Sequence, residues 1–158
     1  MKYQRIMIPY DGSEHSKGAF SVARDLVIDE PTAQLFVVNV VPMASAPAYA
    51  ESDPVMGGVP AFIDQASYTE MFDNALNTIQ QEMRDELATL LDGLDNSQVH
   101  YDVIAHPSAV HGLVEYAQDR KCDLIIMGRR GLGAIRGMLG SVSYGVLRSV
   151  DLPVLTVK

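Results

Sequence analysis

"IIMGRRGLGAIRGMLGSVSYGVLRSVDLPVLTVK", Ile125 to Lys158, changes character three times along its length. The preceding residues extend its apolar start to "CDLIIMG" (Cys122–Gly128), a short run that reads as a strand covered on both faces. Gly128 to Ser141 then holds five glycines and three arginines, with neither strand alternation nor a long helical repeat. Ser141 to Val150 reads as a helix, and "PVLTVK" as a final strand. A strand, a loop, a helix and a second strand make a βαβ unit, whose crossover is right-handed and whose strands are parallel.

The rest of the chain repeats that alternation. "YQRIMIPY" reads as a first strand ending near Pro9. Ala19, Val22, Ala23, Leu26 and Val27 are spaced as a helical face within Ser13–Ile28. "AQLFVVNVV" is a β-branched run that suits a buried parallel strand. Phe72, Leu76, Ile79, Met83, Leu87 and Leu90 mark one stripe of a long helix. "QVHYDVIA" reads as a strand, and Val110, Leu113, Val114 and Ala117 mark a helix with Pro107 near its start. The order β-α-β-α-β-α-β-α-β predicts a doubly wound α/β fold, a five-stranded parallel sheet with helices on both faces. The expectation is one domain over 1–158, interrupted by a long, mobile connection at about 42–66 that is rich in Ala, Pro, Gly, Ser and Met.

The totals exclude several classes. The 158 residues carry a net charge of -8, which argues against general binding of nucleic acid or an anionic membrane. Charge is unevenly placed, however. There is no Lys or Arg between Arg24 and Arg84, whereas Arg120 to Arg148 holds six basic residues against the single acid Asp123. That distribution fits either a solvated face or a local anion site. Cys122 is the only cysteine, so no internal disulfide forms, and no Cys/His spacing suits zinc. Its place at an apolar run predicts a buried, inert thiol. His106 and His111 are five residues apart, a poor fit to one helical face, and no metal set is expected. No signal-peptide pattern or bilayer-length apolar stretch is seen, and a cytoplasmic address is the expectation.

In doubly wound sheets, ligands bind beyond the carboxyl ends of the strands, where strand order reverses. Two loops qualify, Pro9–Ser13 after the first strand and the glycine-rich loop from Gly128. Gly128 and Gly131 would let backbone N–H groups approach a ligand with no Cβ in the way. Gly140-Ser141 would open the last helix, whose unpaired N–H groups and dipole favour a phosphate. Ser141 and Ser143 would add hydroxyl donors, or Ser141 would serve as an N-cap. Asp11 reads either as a ligand contact or as an Asx turn that starts the first helix with Ser13. Of Arg129, Arg130 and Arg136, Arg130 is the favoured phosphate partner. No base, nucleophile or carboxylate set is aimed at the phosphates, so no catalytic residue is assigned. The G-x4-G-K-[ST] loop of P-loop proteins is absent.

The segment that opens this section, with "IMIPYDGSEHS", "LFVVNVV" and "HPSAVHGLVEYAQDRKCDLIIMG", resembles the universal stress protein (UspA-like) family over nearly the whole chain outside Pro42–Ala66. Nucleotide-binding members of that family carry G-x2-G-x9-G-[ST] after the fourth strand. The resemblance implies strand order 3-2-1-4-5, an adenine-nucleotide α-hydrolase-like fold, and a homodimer joined through the last strand, 153–158. It implies ATP as ligand, with AMP or ADP as alternatives, and Mg²⁺ or Mn²⁺ bridging the phosphates. By position, Pro9 and Asp11 would sit at adenine and ribose, and Val40 at adenine. Met127 and Gly128 would approach ribose and the first phosphate. Arg130, Gly131, Gly140, Ser141, Val142 and Ser143 would surround the phosphates. The implied role is an ATP-binding regulatory or stress-resistance factor, with slow hydrolysis at most. The alternative is a dimeric interaction module that has lost the nucleotide. Three departures bear on this. Eight residues, Leu132 to Leu139, separate Gly131 from Gly140 where the family has nine. His106 stands where many relatives have Gly. Tyr10 replaces a small polar residue, where it would crowd the crevice or stack near the base.

Overall fold

Strands with no polar face must be covered twice, and the chain supplies helices for both sides. The computed structural model describes residues 3–43, 65–132 and 139–158. The strands are β1 (Arg5–Pro9), β2 (Gln34–Pro42), β3 (Val99–His106), β4 (Leu124–Gly128) and β5 (Val154–Val157). They form one parallel sheet in the order β3-β2-β1-β4-β5. The helices are α1 (Glu14–Val27), α2 (Gln65–Leu87), α3 (Ala109–Asp119) and α4 (Ser141–Ser149).

Alternation along each strand divides the core into two layers. Ile6, Ile8, Leu35, Val37, Leu124 and Ile126 face Ala19, Phe20, Ala23 and Val27 of α1 and Met83 and Leu87 of α2. Met7, Phe36, Val38, Ile125 and Met127 face Leu113, Tyr116 and Ala117 of α3 and Val146 of α4. Each large side chain in these layers contributes about 1.5–3 kcal/mol by leaving water. Gly145 sets how closely α4 lies on α3, since a Cβ there would come within 2.6 Å of Val110 Cγ2.

Local signals fix where the elements begin. The Ser13 hydroxyl accepts from the Ser16 N–H (3.2 Å) and caps α1. Ser108, just after Pro107, caps α3 by accepting from the His111 N–H (3.4 Å). The Asp123 carboxylate accepts from the N–H groups of Gln4 (2.8 Å) and Arg5 (3.0 Å), pinning the start of β1 beside β4. The connection expected at 42–66 is shorter at both ends. Pro42 closes β2 on the ladder with β3, and α2 starts at Gln65, a full turn or more ahead of the apolar stripe that announced it. Residues 44–64, which hold most of that expected connection, lie outside the described residues.

The sheet opens between its central strand β1 and the neighbouring β4. β2 and β3 pair over eight positions, from Leu35↔Val99 to Pro42↔His106. β1 and β4 pair at only Ile6↔Leu124 and Met7↔Ile125. Above those pairs the strands part, with the chain leaving β1 towards α1 and β4 towards α4. This divergence is the switch point of the topology.

Candidate functional site

A cleft of about 580 Å³ occupies that divergence, a size typical of small-molecule sites. One wall is Pro9 at the end of β1 and Tyr10 and Asp11 after it, together with Val38, Asn39 and Val40 of β2. The opposite wall is Met127 and Gly128 at the end of β4 and Arg130, Gly131 and Leu132 after it, with Leu139 and Gly140–Ser143 at the start of α4. All eleven residues singled out in the sequence therefore line one cleft, including Val40, Met127 and Val142.

Their individual roles differ from the sequence reading in several places. Gly140 is the N-cap of α4 and has no side chain to cap it, so Ser141 is the first helical residue rather than the cap. The first α4 backbone bond is donated by the Tyr144 N–H to the Gly140 carbonyl (2.9 Å). The N–H groups of Ser141, Val142 and Ser143 precede it and have no acceptor within the helix. Ser141 is exposed at the cleft, but Ser143 is buried and its hydroxyl donates to the Gly128 carbonyl (2.9 Å). A hydroxyl has one proton, so Ser143 does not supply the side-chain donor expected of it.

Gly128 lines the cleft, and its lack of a side chain is also required by packing. A Cβ there would lie 2.8 Å from the carbonyl carbon and Cβ of His15, in the first turn of α1. The gap it leaves is filled by the protein itself. At Gly131 a Cβ would meet the Asp11 Oδ2 at 2.4 Å, the movable end of a side chain across the cleft. At Gly140 it would lie 3.3 Å from the Arg130 Cα. The loop ends are joined by backbone bonds: the Arg129 N–H donates to the Val157 carbonyl (2.6 Å), and the Gly140 N–H donates to the Arg129 carbonyl (2.9 Å). Arg130 lines the cleft; Arg136 lies outside the described residues.

Asp11 forms the Asx turn: its Oδ1 accepts from the Ser13 N–H (3.1 Å), while the residue stays exposed at the cleft mouth. The two readings of Asp11 are compatible, because Oδ2 points across to Gly131. Tyr10 neither crowds the crevice nor offers a ring for stacking. Its side chain turns into the α1/α2 layer, and its phenol donates to the Glu86 carboxylate. Burial, reinforced by Glu86, holds that phenol above the ordinary tyrosine range. Sequence reasoning gave no hint of Glu86, which stands 76 positions away.

The other singled-out groups lie apart from the cleft. Cys122 is buried in the turn before β4, and burial pushes its thiol up to about 11. His106 and His111 meet edge to face with ring centroids 6.5 Å apart, and His106 Nε2 is 3.6 Å from the Glu115 carboxylate. Among the described residues no three His, Cys, Asp or Glu side chains converge as a metal site.

This arrangement, a switch-point cleft bounded by a glycine-capped helix start, can be set beside known proteins. The model of the universal stress protein family matches residues 2–158. The chain belongs to the universal stress protein family. A universal stress protein of Methanocaldococcus jannaschii is 28% identical over 166 residues, spanning 99% of this chain and 82% of the relative. The solved UspA of Lactobacillus plantarum superposes with a TM-score of 0.71 at 19% identity, covering 100% of this chain and 99% of that one. A universal stress protein solved in complex with cAMP gives a TM-score of 0.61 at 23% identity over 99% of this chain and 98% of that one. The Archaeoglobus fulgidus protein solved in complex with dAMP gives 0.55 at 18% identity, with both chains covered in full. Five parallel strands in the order 3-2-1-4-5 are thus the family's architecture and this chain's.

Proposed function

We propose that this universal stress protein binds ATP in the switch-point cleft and acts as a nucleotide-dependent regulatory or stress-resistance factor in the cytoplasm. The observation that carries the reading is the start of α4. Three helical N–H groups and the positive end of the helix dipole adjoin the cleft at Gly140, where no side chain intervenes. Relatives solved with cAMP and dAMP support an adenine nucleotide as the chemical class. In this reading Asp11 takes the ribose, Pro9 and Val40 flank the base, and Arg130 joins the Ser141–Ser143 amides at the phosphates. A divalent cation would be carried by the phosphates themselves, since no protein metal cluster is found among the described residues.

The protein is also proposed to be a homodimer. β5 pairs with β4 on one side, and no described strand covers the other edge, where Leu155 is 41% exposed. Pairing of that edge with a second copy across a two-fold axis would cover it.

One observation favours a second reading, a dimeric interaction module without nucleotide. The Gly131-to-Gly140 spacing is one residue short, and the Ser143 hydroxyl is already bonded to Gly128. The readings separate when purified protein is denatured, released nucleotide is identified, and the stripped protein is titrated with ATP and AMP, with and without Mg²⁺. Tight ATP binding without turnover is expected. Absence of binding at millimolar nucleotide would leave only the interaction module.

A further inference from the structure

The turn after β1 is held from behind by a residue of a distant helix. Tyr10 is 4% exposed, and its phenol reaches α2 to donate to Glu86 Oε2. The same oxygen is 3.9 Å from the Lys17 ammonium on α1. It also faces Gly12, where a Cβ would lie 3.9 Å from it. Gly12 has φ +79°, the left-handed region that a side chain resists, so this turn has a conformation that needs holding. On its far side the turn presents Asp11, bonded to the Ser13 N–H and reaching across the cleft to Gly131.

We propose that Glu86 is a positioning residue of the candidate site: by accepting the Tyr10 phenol it fixes the Asp11–Gly12 turn, and with it the Asp11 carboxylate at the cleft mouth. The ligand consequence deepens the nucleotide reading and rests on it; the fixing of the turn does not. Tyr10 is the right residue for the task because its ring is anchored in the α1/α2 layer while its backbone N–H extends the sheet to the Val38 carbonyl (2.9 Å). Glu86 is suited as well, since it sits near the C-terminal end of α2, where Met83 and Leu87 lock the helix to the core. Displacement of the turn therefore requires breaking the phenol–carboxylate bond or moving a packed helix.

The test compares Tyr10→Phe, Glu86→Ala, Glu86→Gln and the Tyr10→Phe/Glu86→Ala double variant. Amide hydrogen exchange at Gly12 and Ser13 is followed by NMR without ligand, with global stability measured in parallel. Exchange should quicken about tenfold in Tyr10→Phe and in Glu86→Ala, the scale of one hydrogen bond to a charged group. The double variant should match the singles rather than compound them, because both remove one bond. Glu86→Gln, whose amide oxygen still accepts but without the charge, should fall between the wild type and Glu86→Ala. With ligand, the first two variants should weaken ATP while leaving 2′,3′-dideoxy-ATP nearly unchanged, because the Asp11 contact is to ribose hydroxyls. Unaltered exchange in folded Tyr10→Phe and Glu86→Ala, additive effects in the double variant, or equal losses for both nucleotides would overturn the proposal. Failure of the wild type to bind ATP would count against the nucleotide reading alone, and the exchange data would still decide the role of Glu86.

Discussion

The two walls of the cleft are built by different means. The Pro9–Ser13 turn is held by side chains: the Tyr10 phenol on Glu86, the Asp11 carboxylate on the Ser13 N–H, and the Ser13 hydroxyl on Ser16. The opposite wall meets the cleft at the start of α4, where Gly140 supplies no side-chain cap; backbone bonds join Arg129 to Val157 and Gly140 to Arg129, and the Ser143 hydroxyl bonds the Gly128 carbonyl. A side-chain-held wall can aim a specific group at a ligand. An uncapped helix start offers bare amides, which suit a diffuse anion such as phosphate. The comparison also sorts glycines that look alike in sequence. Gly128 makes room for α1, whereas Gly131 faces the open cleft and the end of Asp11.

Substitutions can break this contrast, in falling order of expected effect. Gly140→Asp should weaken ATP by at least ~100-fold, about 2.7 kcal/mol, because a carboxylate at the helix start occupies the place of a phosphate. Asp is a favoured N-cap and Gly140 already has the extended backbone of one (φ -62°, ψ 151°), so α4 and the fold should persist. Isothermal titration paired with thermal melting reads both effects. Gly128→Ala should cost about 1–3 kcal/mol of stability, since the new methyl would strike the backbone of His15; denaturant unfolding measures it. Ser13→Ala removes the α1 cap and should cost about 1 kcal/mol in the same assay. Gly131→Ala should change stability by less than about 0.5 kcal/mol, because only the Asp11 side chain has to move. A larger loss at Gly131 than at Gly128 would reverse the assignment of the two glycines.

Much of this architecture was legible in the sequence because parallel strands and their cover helices write strong local patterns. The runs Ile6–Ile8, Leu35–Val38 and Leu124–Met127 are buried on both faces, and the stripe through Met83 and Leu87 is on the core side of α2. Asp11, Gly128, Arg130, Gly131, Gly140, Ser141 and Ser143 were legible because a switch point brings together the loops after β1 and β4, whereas Pro9, Val40, Met127 and Val142 came from the family resemblance. What each does was not legible. Whether Ser141 or Gly140 caps α4 depends on a single residue's backbone angles. The packing duty of Gly128 depends on how near α1 lies, and the bond from Tyr10 to Glu86 joins elements 76 residues apart. Such contacts arise only when the layers are stacked, so no local pattern announces them. The start of α2 at Gln65 was missed for a related reason. Ala66, Thr69, Glu70 and Met71 are exposed and precede the apolar stripe, which begins at Phe72.

In the proposed complex one nucleotide bridges the two walls, with phosphates on the Ser141–Ser143 amides of α4 and sugar on the Asp11 turn. That arrangement is tested most directly by following backbone amide resonances while ATP is added to nucleotide-free protein. Saturable shifts are expected at Ser141–Ser143 and at Asp11–Ser13 with a single dissociation constant. Shifts confined to the groove of Asp73, Leu76, Gln80 and Val103 between α2 and β3, or no shifts at millimolar ATP, would contradict it.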